Sequence, residues 1–347
     1  MSRPVARPRA VTMQDIARAA GVSQSTVSRV LNDAPTSVPI AAETRQRVRE
    51  MAERLGYRPN PLARGLRGAR TNLLGVIVRD IADPFFAMAV DSVSTEALAR
   101  GYNVVLGSAH SRADEAIALK EVLETRHCDA IMLLGDMRDE PRFLEELRAS
   151  LTPVVALWHG TELEGVPTVN IDNRSGIVAA MDHLTELGHE RIGFIGGRPL
   201  GDIRERRQAY LDYLEASGLD SSDAYVRTGV NDPSGGDRAI RSLLNLDEPP
   251  TAVVCSTDHL ATGVLYAVAD LGLRVPDDIS VVGFDDIPMA GFTVPPLTTL
   301  RMPVSEMTGV AARLAMDELT DEDAADLSSY VATSNLVVRE STGKPPG

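Results

Sequence analysis

Four polar side chains share the outer face of one short predicted helix, residues 24–32: Gln24, Ser25, Ser28 and Arg29. A glutamine amide can form two hydrogen bonds to adenine, and an arginine guanidinium can form two to guanine. Serine hydroxyls can bond to phosphates or to either base edge. These residue types at helical spacing favour contact with nucleic acid.

The segments around this helix predict how it is positioned. Thr12 and Asp15 have the spacing of a capping box, which begins a first helix. Gly21 is suited to end that helix, and Ser23 can cap the second one. A third predicted helix, 42–55, would close a small apolar core. The pattern is that of a helix-turn-helix unit, although an ordinary three-helix packing unit has the same spacing.

Charge is divided unevenly along the 347 residues. Residues 1–70 contain 13 arginines, no lysine and five acids, a net charge of +8, whereas the remaining 277 residues carry 22 basic and 44 acidic groups, a net charge of −22. A basic segment on an acidic body favours binding of a polyanion by that segment alone. A basic disordered tail is the alternative, but the helical pattern argues against it.

Composition narrows the class of protein. With 44% apolar and 24% charged residues, the chain is expected to form two or three domains with buried cores. No apolar run approaches the roughly 18 residues of a membrane span, and the N-terminus has no apolar signal core. Two cysteines, Cys128 and Cys255, cannot form a disulfide framework. A cytoplasmic, nucleoid-associated location is expected.

The residues 11–32, the pair Thr44 and Arg45, and the residues 55–60 together resemble the lac repressor/galactose repressor family of bacterial transcription regulators. The resemblance extends to Arg339. It implies a sequence-specific DNA-binding regulator, with a repressor favoured, whose operator affinity is controlled allosterically by a small-molecule effector. It also implies a homodimer on a near-palindromic operator. The chain has no C-terminal leucine heptads, so a tetramer is not expected.

The implied organisation is a helix-turn-helix domain at 1–58, a hinge helix or linker at 59–70, and an effector-binding and dimerisation domain at 71–347. In the hinge, Asn60 can cap a helix that is too short to be stable alone in water. The resemblance implies that two such helices enter the minor groove and that Leu66 wedges between base pairs. A flexible linker is the alternative.

The predicted DNA contacts lie in the helical head and the hinge. They are Thr12, Met13, Ser23, Gln24, Ser25, Thr26, Ser28, Arg29, Asn32, Tyr57, Asn60, Ala63, Leu66 and Arg67.

The body alternates short apolar runs with amphipathic stretches. The predicted strands are 74–78, 103–107, 130–134, 154–157, 192–195, 252–255 and 279–283. The predicted helices are 85–100, 112–126, 141–150, 174–187, 203–217, 235–244 and 258–271. Repeated β–α units predict two doubly wound parallel-sheet lobes, with the segment 288–335 crossing between them again. The fold class is therefore an all-α helix-turn-helix domain plus an α/β body that resembles type I periplasmic sugar-binding proteins.

Loops that follow predicted strands carry the effector-binding candidates, because ligands of such sheets collect beyond the carboxyl ends of strands. Asp83, Phe85 and Phe86 follow the first strand. Aromatic rings can stack on a sugar ring while polar groups bond its hydroxyls. Either ring could instead be a core side chain. The resemblance implies a ligand-binding arginine at Arg206 and a ligand-binding carboxylate at Asp285.

Three further candidates have competing interpretations. Thr257 and Asp258 follow another strand, and Asp258 is expected to cap a helix, although it could also bind ligand. Trp158 could stack on the ligand or fill the cleft wall.

Two positions depart from the pattern of the family. Asp83 stands where the family commonly has asparagine, and Asn231 stands where many relatives have an aromatic residue. A sugar is the favoured effector class, and whether it releases or promotes DNA binding stays open.

No constellation for catalysis, metal or cofactor binding is predicted. The six histidines have neither HxxxH nor HExxH spacing, and Gly193–Gly197 lacks the full dinucleotide-binding pattern. An enzyme is therefore not expected. The main alternative, a sugar-binding transport component, should have a secretion signal and lack the basic helical head.

Overall fold

The structure is a computed structural model, which describes residues 11–31, 39–57, 70–137, 141–158, 160, 163, 165–219, 223–317 and 329–346. The chain divides into two compact units after residue 69.

The first unit contains three described helices. They are α1 (Met13–Ala20), α2 (Gln24–Leu31) and α3 (Ala42–Arg54). The predicted capping box is present at Thr12 and Asp15, and Gly21 ends α1 with a left-handed φ of 65°. Buried Ile16 and Val48 join Val27 and Val30 of α2 in one small core. The core fixes the orientation of α2, so its polar side faces outward.

The second unit begins with a sheet that forms the first lobe. Its strands are β1 (Leu73–Val78), β2 (Asn103–Ser108), β3 (Ala130–Leu134), β4 (Val154–Leu157), β5 (Thr168–Ile171) and β11 (Ser329–Ala332). They lie in the order β11-β5-β4-β3-β1-β2, and every pairing is parallel. The helices of this part are α4 (Pro84–Ala99), α5 (Ala113–Thr125), α6 (Pro141–Arg148) and α11 (Val304–Asp317).

A second six-stranded sheet forms the other lobe. Its strands are β6 (Ile192–Gly196), β7 (Val226–Thr228), β8 (Ala252–Cys255), β9 (Ser280–Asp285), β10 (Thr298–Arg301) and β12 (Asn335–Val337), in the order β12-β10-β9-β8-β6-β7. Only β12 is antiparallel to its neighbour. The helices are α7 (Asn173–Glu186), α8 (Gly201–Ser217), α9 (Pro233–Leu244) and α10 (Asp258–Asp270), with short 3-10 turns at Asp223–Tyr225 and Pro288–Phe292.

The chain passes between the lobes three times. It leaves the first lobe after β5, returns between β10 and α11, and leaves again between β11 and β12. The predicted recrossing of 288–335 is confirmed. Because both sheets are mainly parallel and their central strands are buried, the loops at their carboxyl ends meet between the lobes. Among the residues described above, no helix combines the length and apolarity needed to cross a bilayer.

Candidate DNA-binding face and effector cleft

The outer side of α2 presents its polar residues to solvent. Gln24, Ser25 and Arg29 are exposed, and Ser28 is half-buried. The Ser23 hydroxyl accepts a hydrogen bond from the backbone N–H of Thr26 at 3.1 Å, so it caps the helix as expected. Unpaired backbone N–H groups and the helix dipole at this end favour a phosphate.

The remaining described candidates of the head lie beside its core. Thr12 is exposed, and its hydroxyl contacts Asp15 Oδ2 at 2.7 Å. Met13 and Tyr57 are half-buried and pack against the core of the three helices. Thr26 is half-buried at the start of α2, within 2.8 Å of the Ser23 hydroxyl. The predicted contacts Asn32, Asn60, Ala63, Leu66 and Arg67 lie outside the described residues.

Arg206 lies beside the carboxyl ends of β8, β9 and β10 in the second lobe. It comes from α8 and is only 2% exposed. Its Nε donates to Asn173 Oδ1 at 2.8 Å, and Nη1 donates to the backbone oxygen of Ser256 at 2.6 Å. The guanidinium stacks 3.5 Å from the ring centroid of Phe284. These two hydrogen bonds and the stacking contact together fix the position of the guanidinium.

Two carboxylates also lie near the guanidinium of Arg206, each at a longer distance than these hydrogen bonds. Asp285 Oδ1 lies 3.4 Å from Nη1, and Asp202 Oδ2 lies 3.9 Å from Nη2. Burial raises the pKa of Asp285 well above its usual range, although Arg206 opposes the shift. Burial also raises the pKa of Asp202. The two carboxylates share one guanidinium and retain capacity to accept further hydrogen bonds.

Asp258 has a structural role that differs from the predicted one. Thr257, not Asp258, caps α10, because its hydroxyl accepts the N–H of Leu260. The carboxylate of Asp258 instead accepts the N–H of Ile287 at 2.9 Å and the hydroxyl of Thr299 at 2.5 Å. The expectation that Asp258 caps the helix is therefore wrong. Burial raises the pKa of this carboxyl to about 7.

A hydrogen-bonded bridge connects the two lobes. Asp83 caps α4 by accepting the N–H of Phe85 at 3.0 Å, and its second oxygen accepts from Asn231 Nδ2 at 3.0 Å. Asn231 Oδ1 in turn accepts from the hydroxyl of Thr257 at 2.8 Å. One amide thus connects the N-terminal caps of α4 in the first lobe and α10 in the second.

The three aromatic candidates pack on one another. The ring of Phe85 lies edge-to-face against Trp158 and Phe86, with centroid separations of 5.0 and 5.2 Å. All three side chains are buried, and Trp158 Nε1 donates to Met307 Sδ at 3.3 Å. In this conformation the rings therefore form part of the packed wall of the cleft.

A cavity of about 340 Å³ lies at the mouth of the cleft. It is lined by residues of both lobes, including Arg79, Asp83, Arg198, Leu200, Asn231 and His259. The cavity has the size of a small-ligand site and opens beside the Asp83–Asn231 bridge.

Sequence reasoning missed several residues that hold the site. Asn173, Asp202 and Ser256 surround Arg206, and Asp136 follows β3 as a buried carboxylate. The position of Asp136 directly after a strand was a usable signal. Asn173 and Ser256 act through an amide oxygen and a backbone oxygen, so no residue-type pattern identifies them.

Comparison with known proteins places this arrangement in a family. Residues 12–60 match the family described as "Bacterial regulatory proteins, lacI family", and residues 181–342 match "Periplasmic binding protein-like domain". The chain is 35% identical over 340 residues to the HTH-type transcriptional repressor CytR of Escherichia coli (strain K12), which covers 97% of this chain and 98% of that protein. This chain belongs to the lacI family of bacterial regulatory proteins.

Other members of the lacI family show the same likeness across both units. Catabolite control protein A of Priestia megaterium is 34% identical, with 96% of this chain and 99% of that protein covered. A solved lac repressor dimer bound to operator and the anti-inducer ONPF has a TM-score of 0.84 at 26% identity, covering 96% of this chain and 100% of that chain. A transcriptional regulator CelR–cellobiose complex has a TM-score of 0.72 at 32% identity, covering 95% and 99%. The predicted family, fold class and function as a DNA-binding transcriptional repressor are confirmed.

Proposed function

We propose that this lacI-family repressor binds a small hydroxylated effector of the sugar class between its lobes, and that Arg206 and Asp285 hold it. The observation that carries the proposal is the unused bonding capacity of these two groups. Arg206 Nη2 donates to Met302 Sδ at 3.9 Å, and a thioether sulfur is a weak acceptor. The distance of 3.9 Å from Nη2 to Asp202 Oδ2 is longer than that of a good hydrogen bond to oxygen.

A pair of neighbouring hydroxyls fits this arrangement. A hydroxyl oxygen can accept from Arg206 Nη2 while its proton goes to the carboxylate of Asp285. Such charge-assisted bonds are stronger than neutral ones, and a preformed guanidinium loses little entropy on binding. The solved cellobiose complex of a related regulator supports the sugar class.

The proposed operator contacts come from α2 and the hinge. Gln24, Ser25 and Arg29 read base edges in the major groove, while Ser23 and Thr26 bind phosphate at the start of the helix. The roles of Thr12, Met13, Ser28 and Tyr57 as neighbouring backbone contacts, and of Leu66 as a minor-groove wedge, belong to the same proposal. The proposed domains are 1–58, 59–70 and 71–347.

A second copy of the chain is the proposed partner of an apolar surface on the second lobe. Phe292 and Val294 are 80% and 91% exposed, and Tyr266 and Met289 are also exposed. Several large apolar side chains exposed on one lobe are a feature of surfaces that associate with a partner. A homodimer matches the two-fold symmetry of a palindrome, and the related lac repressor was solved as a dimer on its operator.

A thermal-shift screen of sugars on the full chain tests the effector site. A bound sugar raises the melting temperature by mass action, and Arg206→Ala and Asp285→Asn should each abolish that rise. Arg204→Ala is the matched control, since Arg204 is exposed on the same helix. Circular dichroism first verifies that each variant is folded. An unchanged sugar response in both folded site variants would contradict the assignment.

A further inference from the structure

The backbone takes an unusual course at the carboxyl end of β9, where Asp285, one of the two proposed sugar-binding residues, lies. Asp285 has a φ of 120°, and the next residue, Asp286, has a φ of 54°. Residues other than glycine rarely adopt positive φ, because the Cβ crowds the backbone. Such a conformation persists only where surrounding contacts hold it. The Asp285–Asp286 pair therefore depends on contacts that fix this turn.

Two arginines hold the side chain of Asp286, which is 7% exposed. Arg301 Nε donates to Asp286 Oδ2 at 2.6 Å, and Arg339 Nη2 donates to Asp286 Oδ1 at 2.6 Å. Hydrogen bonds between charged groups are shorter and stronger than neutral ones. Each carboxylate oxygen thus bonds to its own guanidinium, and the position of Asp286 is fixed from two sides.

Arg339 is the more firmly fixed of the two arginines. Its side chain is 20% exposed, whereas that of Arg301 is 59% exposed. Arg339 Nη1 also donates to the backbone oxygen of Leu297 at 2.7 Å, and its backbone N–H donates to Thr298 Oγ1 at 2.9 Å. An ion pair is screened less by water and salt where it is partly buried. The larger share of the restraint on Asp286 therefore comes from Arg339.

Arg339 belongs to the C-terminal segment, residues 339–343, which is anchored along the second sheet. The Ser341 hydroxyl is buried; it donates to the backbone oxygen of Val281 at 2.6 Å and accepts the N–H of Thr298 at 2.8 Å. The N–H of Val281 donates to the backbone oxygen of Ser341 at 2.8 Å. Val281 lies in β9 and Thr298 in β10. The C-terminal segment therefore has a defined position against both strands, and it brings Arg339 to the turn that follows β9.

The side-chain contact of Asp285 with Arg206 is longer than the contacts of its neighbour. Asp285 Oδ1 lies 3.4 Å from Arg206 Nη1, compared with 2.6 Å for both bonds of Asp286. A planar peptide bond joins the two aspartates, so contacts that fix Asp286 also restrict the backbone of Asp285. The direction of the Asp285 carboxylate therefore depends on how Asp286 is held.

We propose that Arg339 is a positioning residue of the effector site. Its bond to Asp286 holds the turn from which the Asp285 carboxylate meets a sugar hydroxyl. The C-terminal segment then contributes to effector affinity through Asp286, without itself binding the sugar. This inference rests on the proposed effector site.

Isothermal titration calorimetry of the full chain tests the inference. Glucose, galactose, mannose, ribose and cellobiose are compared by thermal shift, and the sugar that stabilises the unmodified chain most is then titrated at one fixed temperature. Arg339→Met keeps a side chain of similar length but removes the donors. It should raise the Kd for this sugar by about tenfold or more, because a misplaced Asp285 loses a charge-assisted hydrogen bond. Arg339→Lys keeps the charge beside Asp286 and should give a Kd between those of Arg339→Met and the unmodified chain.

Asp286→Asn tests whether Arg339 acts through this carboxylate. It should raise the Kd as Arg339→Met does. Since both changes break the same contact, the double variant should differ from the weaker single variant by no more than about twofold. Two independent effects that add in the double variant would contradict a joint role.

Thr342→Val is the matched control on the C-terminal segment. Thr342 Oγ1 lies 2.9 Å from His183 Nε2 and 3.2 Å from Thr298 Oγ1, so the change loosens the segment without removing the Arg339–Asp286 bond. It should lower the melting temperature but change the sugar Kd by less than about twofold. A Kd raised as much as by Arg339→Met would make the effect one of general packing and overturn the positioning role.

The remaining outcomes separate this inference from the proposed effector site. An unchanged Kd in folded Arg339→Met overturns the inference and leaves the effector site in place. No binding of any of the five sugars to the unmodified chain overturns both. Circular dichroism verifies that each variant is folded, and if Arg339→Met does not fold, the Kd values of Asp286→Asn and Arg339→Lys decide by the same criteria.

Discussion

At the scale of single residues, the carboxylates of the cleft have different roles because their hydrogen-bond partners differ. Asp258 is fully bonded inside the second lobe, whereas Asp285 and Asp202 keep capacity for further donors. The sequence identified Arg206 and Asp285 as candidates through the family resemblance. It assigned Asp258 to a helix cap, because the actual partners of this carboxylate, such as Thr299, are distant along the chain.

Gly283 is required by the position of Asp258. A Cβ on Gly283 would lie 2.1 Å from Asp258 Oδ1, so Gly283→Ala must displace that carboxylate from Ile287 and Thr299. We expect a loss of about 1–3 kcal/mol in the free energy of unfolding, measured by urea denaturation. Gly229→Ala is the control, since a Cβ there meets no atom within 4 Å. Equal stability of the two variants would contradict the packing described for Asp258.

His189 couples stability to pH. Its Nε2 lies 2.9 Å from the Gly343 oxygen and its Nδ1 lies 2.8 Å from Thr251 Oγ1, while burial lowers the pKa of the imidazole. Because the folded pKa is below the unfolded value, the unfolded chain takes up the proton more readily. The stability that His189 contributes is therefore lost as pH falls below about 6.5.

His189→Gln should reduce the acid-dependent part of this loss. The measurement is the free energy of unfolding by urea at pH 7.5 and pH 5.5 for both chains. The drop between the two pH values should be smaller in the variant. The same drop in both would show that other groups carry the effect.

At the scale of elements, the long amphipathic helices and the apolar strands were predictable, whereas short strands that contain polar residues were not. The strands β1, β3, β4 and β8 lie within one residue of their predicted bounds. The missed β10 contains Thr298 and Thr299, whose polar groups are buried against Ser341 and Asp258. Their apparent polarity argued against a buried strand because their partners come from distant segments.

The Asn231 bridge is an element-scale contact, since it joins the caps of α4 and α10. Asn231→Ala removes two hydrogen bonds and should lower the free energy of unfolding by about 1–2 kcal/mol. It should also increase the radius of gyration in small-angle X-ray scattering, because the lobes lose a direct connection. Asn245→Ala, at the exposed far end of α9, is the matched control. An unchanged radius of gyration would contradict a role for Asn231 in closure.

At the scale of the whole molecule, the two units differ in net charge and in fold, and we expect them to have different functions. The segment 1–70 has a net charge of +8 and the rest has −22, so the affinity for DNA belongs to the N-terminal unit and should fall with salt. An effector in the cleft can alter that affinity only through its different affinities for the DNA-bound and free states. The sequence predicted this division from charge and from the helix-turn-helix pattern, but not which contacts transmit it.

The most direct test of the account is fluorescence anisotropy with the full chain and a labelled palindromic duplex selected from a random pool. A sugar that raises the melting temperature should change the Kd for this duplex by about fivefold or more. Asp285→Asn should remove the effect of the sugar on this Kd. Arg29→Ala should weaken binding to the selected duplex more than Arg47→Ala does, although Arg47→Ala removes the same charge from α3. No preference for any palindrome over random DNA, or an identical Kd with and without the sugar, would contradict the account.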